Sequence, residues 1–334
     1  MRTKSIVLIG LVTAAVSVAG TLAQQSSPDT AARPPQGDPQ YKPKRINKAI
    51  ELLESGQSLW FTGATGERDY EDGKKMALTY ADYIDYPLEH EPFDMAKLRR
   101  FMQGLVDGGP TRSGHRTPAV LVTLPVLGIT EAQTRANDWM VNQVLAAGVH
   151  GIVFCRARDA GSVRAVLEAG RWPYHTLGVG PGKLGEGYRG SGSQGFAATI
   201  WGVSAHEYMQ RSDFWPLNPS GELMLALKIE DKHAADNMAE TFKVPGIAFA
   251  EYGASDAGLS YVGLQPPGSG QAPEVTAHRA RVLAATKAAR IFFMDGGVNT
   301  SNIQEKLRDG AIISRVDQET ADAARRLSKR QMPW

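Results

Sequence analysis

Short apolar or β-branched runs recur along most of the chain, separated by stretches with helical spacing. The runs are Leu59–Ala64, Tyr83–Tyr86, Ala119–Leu124, Gly151–Cys155, His175–Gly180, Leu223–Ile229, Gly246–Glu251 and Ile291–Asp295. Most are continuous in apolar residues rather than alternating, as expected of strands covered on both faces. Between them, Leu98, Phe101, Met102 and Leu105 stand three and four apart, as do Met140, Val141, Val144 and Leu145, and Val163, Val166 and Leu167. That spacing lays one apolar stripe along a helix. Eight strand–helix units predict an α/β fold, a single-domain (β/α)8 TIM barrel; a doubly wound open sheet is the second architecture the pattern allows. Asp317 to Arg330 reads as a charged amphipathic helix carrying Ala321, Ala324 and Leu327, placed to close the barrel or to reach a neighbouring subunit.

The N-terminus has another character. Arg2 and Lys4 precede an uncharged run from Ile6 to Gly20, and Thr21-Leu22-Ala23 supplies small residues for cleavage. These are the parts of a secretory signal peptide, assigned to residues 1–23. An uncleaved anchor is the other reading, but the run is shorter than the roughly 20 residues a bilayer needs. The expected destination is therefore the periplasm or the exterior, with no membrane attachment after cleavage. Residues 24–44 are rich in Pro, Ser, Gln and charge, and predict a disordered or surface-lying arm. The folded domain is placed at 45–334. Gly178 to Leu223 is an unusually long connection, and such connections are commonly functional.

Composition narrows the function. The 334 residues are enough for two average domains or one large barrel. Lys plus Arg number 37 against 35 Asp plus Glu, a net charge of +2, and the leader takes Arg2 and Lys4 with it. No basic excess is left to neutralise phosphates, which argues against a nucleic-acid partner. Cys155 is the only cysteine, which excludes an intrachain disulfide and any multi-cysteine metal site.

In such a barrel, reactive groups gather at the C-terminal ends of the strands. There the chain carries Glu89-His90-Glu91, Thr123, Arg156, Lys228-Ile229-Glu230 and Gly253-Ala254-Ser255-Asp256. Glu230 and Asp256 top adjacent strands, an arrangement suited to a hard divalent cation. The plainer reading pairs Glu230 with Lys228 or Lys232 and leaves Asp256 in a turn. His90 fits a general base, or a surface histidine in an acidic turn. Lys228 and Glu230 share a strand face, with Lys228 one layer deeper. Cys155 reads as a small buried hydrophobe. Gly185-Glu186-Gly187-Tyr188-Arg189-Gly190 follows no strand and opens no helix, so it reads as a mobile active-site loop rather than a dinucleotide site.

These strand ends resemble the HpcH/HpaI aldolase/citrate lyase family. Asp85…Glu89-His90-Glu91-Pro92 is similar to its Asp-x-Glu-His-x-Pro segment, with two extra residues inside. Gly148-Val149-His150-Gly151-Ile152-Val153, Arg171-Trp172-Pro173 with Arg189-Gly190, Lys228-Ile229-Glu230 and Gly253-Ala254-Ser255-Asp256 resemble further family segments, in order, across residues 46 to 316. The resemblance implies a metal-dependent carbon–carbon lyase of the class II aldolase type. Glu230 and Asp256 would hold Mg2+, Mn2+ or Co2+, and the metal would stabilise an enolate as Lewis acid. His90 would move the proton, and Glu89, Thr123, Gly253, Ala254 and Ser255 would contact a small hydroxy-oxo acid. It also implies a homo-oligomer, hexameric or trimeric, with exchanged C-terminal helices.

Three positions depart from the family pattern. Thr123 stands where an arginine is usual, Ala146 where an aspartate is usual, and Lys228 where a glutamine is usual. Lys228 is the candidate to restore the missing positive charge. The departures leave open a lyase with a different substrate. That substrate could be aromatic, met by Trp60, Phe61, Trp201, Phe214 and Trp215, although core packing is the commoner fate of such residues. They also leave open an exported metal- and carboxylate-binding protein without the chemistry.

Overall fold

In the computed structural model, which describes residues 37–264 and 272–334, eight parallel strands close on themselves. With a ninth, short strand outside the ring, the described strands are β1 (Leu59–Gly63), β2 (Tyr83–Pro87), β3 (Ala119–Thr123), β4 (Gly151–Phe154), β5 (Phe214–Trp215), β6 (Leu223–Lys228), β7 (Ile247–Glu251), β8 (Phe292–Met294) and β9 (Ile313–Arg315). The ring runs β1-β2-β3-β4-β6-β7-β8-β9 and returns to β1 through the pairing of Phe61 with Arg315. β5 is a two-residue strand beside the start of β6. The predicted barrel is the fold observed, and the open sheet is not.

One of the eight expected strands is wrong. His175–Gly180 forms turns, in which Gly178 and Gly180 take φ of 76° and 155°, outside the range of a strand. The eighth strand is Ile313–Arg315. Three residues are too short a run to stand out in a hydrophobic pattern.

The strands sort their side chains by parity. Leu59, Phe61, Tyr83, Leu121, Val153, Ala226, Phe249 and Ile313 fill the barrel interior. Ile84, Val120, Val122, Ile152, Phe154, Leu225, Leu227 and Phe293 pack outward against the helices. The helix Lys48–Glu54, capped by Asn47, plugs the N-terminal end with Ala49, Ile50, Leu52 and Leu53. The chain's tail returns to the same end, where Met332 is fully buried.

The helix Gln318–Leu327 packs on its own barrel, with Ala321 and Ala324 against Trp60, Val298 and Val316. Below it, Asp82 takes three cations in a buried cluster. Arg330 donates to both carboxylate oxygens at 2.6 and 2.7 Å, and Arg325 and Lys48 each lie 3.2 Å away. The signal peptide expected at residues 1–23 lies outside the described residues, as does the arm before Gly37. Within 37–44, the amide of Asp38 bonds Gln331 at 2.9 Å, and Lys44 donates its amide to Glu51 at 2.8 Å. No described helix is long and apolar enough to cross a membrane.

Candidate active site at the barrel mouth

The interior parity continues upward from the apolar layers. Two residues beyond Phe61, Tyr83, Leu121, Val153, Ala226, Phe249 and Ile313 come Gly63, Asp85, Thr123, Cys155, Lys228, Glu251 and Arg315. The hydrophobic interior is thus roofed by a polar layer at the C-terminal ends of the strands. Glu89, Arg156, Glu230 and Asp256 join it from the segments just beyond.

The contacts tie these groups together. Lys228 Nζ donates to Glu89 Oε2 at 2.9 Å and lies 3.9 Å from Glu251 Oε1. Thr123 Oγ1 donates to Asp85 at 2.6 Å. The amide of Arg156 donates to Glu230 Oε1 at 2.9 Å, while its guanidinium Nη2 donates to Asp256 Oδ1 at 2.8 Å. Arg156 holds φ at 48°, a left-handed conformation that costs an ordinary residue about 1 kcal/mol or more. Its bonds to the two carboxylates over-determine that strained backbone. Donor atoms of Glu89, Cys155 and Glu230 all lie within 4.8 Å of one another. Gly253, with φ of 53°, passes so close that a Cβ there would meet the Glu230 Cβ at 2.2 Å.

Negative charge is in excess. Asp85, Glu89, Glu230, Glu251 and Asp256 face Lys228, Arg156 and Arg315. Burial, with the neighbouring Glu251, Asp256 and Glu89 carboxylates, pushes Glu230 up to about 8 against the pull of Lys228. Burial and the other acids push Glu251 up to about 7. Burial raises Asp85 as well, despite the Thr123 hydrogen bond. Burial acts to lower Lys228, but the surrounding Glu251, Glu230 and Glu89 carboxylates outweigh it and hold the ammonium protonated. Burial also keeps the Cys155 thiol protonated, and it hydrogen-bonds Glu89.

The structure brings Glu89, Thr123, Lys228, Glu230, Gly253 and Asp256 to one mouth. Other expected residues stand differently from the simplest reading of the sequence. His90 stands on the rim with its side chain 79% exposed, 3.6 Å from Glu89 and outside the buried cluster. Ser255 is exposed, and Ala254 and Ser255 open a helix, Ala254–Tyr261, without a hydrogen bond into the mouth. Asp256 is occupied by Arg156 rather than standing free beside Glu230. Lys228 pairs with Glu89 and Glu251, not with Glu230. Cys155 is buried, yet its neighbours are carboxylates rather than apolar groups.

The glycine-rich loop is not at the mouth. The amides of Gly185 and Tyr188 donate to Glu168, and that of Arg189 to Arg171. This pins the loop to the far end of the helix Ala160–Gly170, beside a cleft of about 550 Å³ lined by Trp172, Tyr174 and Tyr188. Trp60, Phe61, Trp201, Phe214 and Trp215 are all buried in packing. The sequence alone assigns no role to Glu251, Asp85, Arg156 or Arg315. Glu251 and Arg315 end strands in interior register, the signal that finds them.

No family profile and no curated protein sequence matches the chain, so the comparison rests on solved structures. An HpcH/HpaI aldolase/citrate lyase family protein from Burkholderia cenocepacia superposes with a TM-score of 0.62 at 18% identity, over 84% of this chain and 97% of the other. The HpcH/HpaI aldolase from Desulfitobacterium hafniense gives 0.60 at 17%, over 84% and 96%. Macrophomate synthase gives 0.56 at 16%, over 89% and 93%. The chain has the barrel fold of HpcH/HpaI aldolase/citrate lyase structures, the family that its strand-end motifs resemble.

Proposed function

We propose that the protein is a divalent-metal-dependent carbon–carbon lyase that cleaves a hydroxy-oxo acid at this mouth. The carrying observation is Glu230. It is 1% exposed, bonded through one oxygen to a backbone amide, and surrounded by further carboxylates that push it up to about 8. A buried carboxylate with surplus negative neighbours and hard oxygen donors fits a divalent cation. Glu230 and Asp256 would hold the ion, with Mg2+, Mn2+ or Co2+ as candidates, and Asp256 becomes available when Arg156 releases it. When bound, the ion would supply Lewis-acid polarisation of the substrate's 2-oxo group.

The remaining roles belong to the chain's own side chains. Lys228, clamped by Glu89 and Glu251, places a fixed positive charge just below Glu230 and compensates for the uncharged Thr123. Glu89 and His90 lie 3.6 Å apart, so a proton can pass from the interior carboxylate to the exposed imidazole and water. The apolar layers beneath exclude water from the floor of the site. An N-terminal leader of the kind read from residues 1–23 would place the enzyme outside the cytosol, and breakdown of a small external acid would suit that location. Assembly into a homo-oligomer belongs to the same reading.

The test is metal-dependent pyruvate release from a panel of 4-hydroxy-2-oxo acids by the mature chain. Release abolished by EDTA and by Glu230→Ala supports the lyase. Metal binding without release from any of the panel would favour the binding-protein reading.

A further inference from the structure

Cys155 is the only cysteine of the chain, and the fold sets it among acids. Val153 on β4 faces the barrel interior, so Cys155, two residues on, points up into the mouth. Two hydrogen bonds zip this segment to the end of β6. The Ala157 amide donates to the Lys228 carbonyl at 3.1 Å, and the Arg156 amide donates to Glu230 Oε1 at 2.9 Å. The thiol is thereby fixed beside Glu230, and it is fully buried. A cysteine that only fills a core has apolar neighbours. This one meets Glu89 and Glu230, with donor atoms of all three within 4.8 Å of one another.

The three groups are held from separate strands. Glu89 accepts from Lys228 Nζ at 2.9 Å, Glu230 accepts from the backbone after β4, and Gly253 packs its bare backbone against the Glu230 Cβ from beyond β7. Asp256, in contrast, is taken by the Arg156 guanidinium. Two carboxylates and a thiolate would carry three negative charges, which a divalent ion and the Lys228 ammonium match. Ligand atoms around a tetrahedral Zn2+ stand about 3.5 Å apart. The three donors therefore close on an ion by drawing together by about an ångström.

We propose that Cys155 is a ligand of the ion held by Glu230, with Glu89 beside it, and that this mouth selects Zn2+ or Co2+ over Mg2+. This rests on the reading that Glu230 holds a divalent ion. A thiolate is a soft donor that Zn2+ and Co2+ accept and that Mg2+, an ion of oxygen ligands, does not. On coordination the thiol yields its proton to water and binds as the thiolate. Three protein ligands leave a fourth position open for a substrate oxygen, which is the pattern of a catalytic rather than a structural site.

The test is an optical titration of the EDTA-stripped mature chain with Co2+. A cobalt–thiolate bond gives an intense near-ultraviolet charge-transfer band that oxygen ligands do not give. The band should grow to saturation at one equivalent. Zn2+ should erase it, and a large excess of Mg2+ should not. Cys155→Ser should abolish the band and weaken Co2+ binding, read by calorimetry, by about a hundredfold or more, since loss even of a group behind the ligands costs roughly 10–100-fold. The same substitution should change Mg2+ affinity little. Glu230→Ala should lose both the band and the binding.

The band is read on the wild type, so the outcome does not depend on whether a variant folds. Co2+ bound by calorimetry without the band, or displaced as readily by Mg2+ as by Zn2+, would overturn the proposal and leave an ion on Glu230 standing. No Co2+ binding at all would overturn the metal reading, and the thiolate ligand with it. A negative pyruvate-release assay beside an intact band would reject the lyase alone.

Discussion

Arg156 holds Asp256 through a 2.8 Å hydrogen bond from its guanidinium, while the backbone amide of the same residue holds Glu230. One strained residue therefore contacts both candidate metal ligands, and its side chain competes with a cation for Asp256. Arg156→Gly removes the guanidinium and leaves a residue at ease with positive φ. Mn2+ affinity, measured by titration, is expected to tighten by about tenfold, the effect of removing roughly 1.4 kcal/mol of repulsion. Weaker binding would show instead that the guanidinium orients Asp256 for the metal.

Lys228→Gln leaves Glu89 and Glu251 without their shared cation. Turnover in the pyruvate-release assay should fall on the order of 10²–10³-fold, the cost of removing a positioned charge from such a site. Unchanged turnover and substrate affinity would remove Lys228 from the mechanism.

Metal-free protein should lose stability as pH rises. Glu230 and Glu251 have folded values of about 8 and about 7, above the 4.5 of an ordinary glutamate. Between 4.5 and those values the unfolded chain has released protons that the folded chain retains, so unfolding is favoured as pH climbs through that window. Thermal melts of EDTA-treated protein between pH 6.5 and pH 8, above the range in which the buried histidines His115, His150, His175 and His278 titrate on unfolding and below that of Lys48, should show a falling midpoint, and Mn2+ should flatten the fall. A midpoint that rises over this range would contradict the electrostatics of the mouth.

Gly253→Ala tests the close approach behind Glu230. The added methyl would lie 2.2 Å from the Glu230 Cβ, at a residue already in left-handed geometry. Glu230 must move, and activity should drop on the order of a hundredfold, as for a displacement of about 1 Å at a reacting centre. Wild-type activity in this variant would mean that Glu230 is not held where the chemistry occurs.

At the opposite end, Asp82→Asn leaves Lys48, Arg325 and Arg330 buried without their carboxylate. Denaturant unfolding should show a loss of about 3–5 kcal/mol, the usual cost of breaking a buried ion pair from one side. Since the cluster lies at the far end from the mouth, Mn2+ affinity of the folded fraction should not change.

The barrel was legible because its strands are covered on both faces. Leu223–Lys228 and Ala119–Thr123 are apolar at nearly every position, and only a strand between layers needs that. His175–Gly180 misled because His-Thr-Leu-Gly-Val-Gly mixes apolar residues with glycines, and the two glycines take turn conformations. Ile313–Arg315 escaped notice because three residues held by neighbours on both sides need no strong pattern of their own. The fate of the aromatic residues was legible in kind, since large rings bury area wherever they are shielded.

From the order of the residues alone follow the alternation of strand and helix, the interior parity of each strand, and hence which carboxylates and cations emerge at the strand ends. Period-2 geometry requires that Lys228 lie below Glu230 on one face. What the letters do not contain is azimuth around the ring and the reach of each side chain across it. The Arg156–Asp256 bond joins residues 100 apart, and the Lys228–Glu89 bond joins residues 139 apart. Closure of eight twisted strands chooses those partners, because only then do groups on separate strand ends share one small volume. The same closure sets Arg315 over Gly63, across the mouth from Glu230, with its charge felt by Asp85 and Tyr83 on the neighbouring strand.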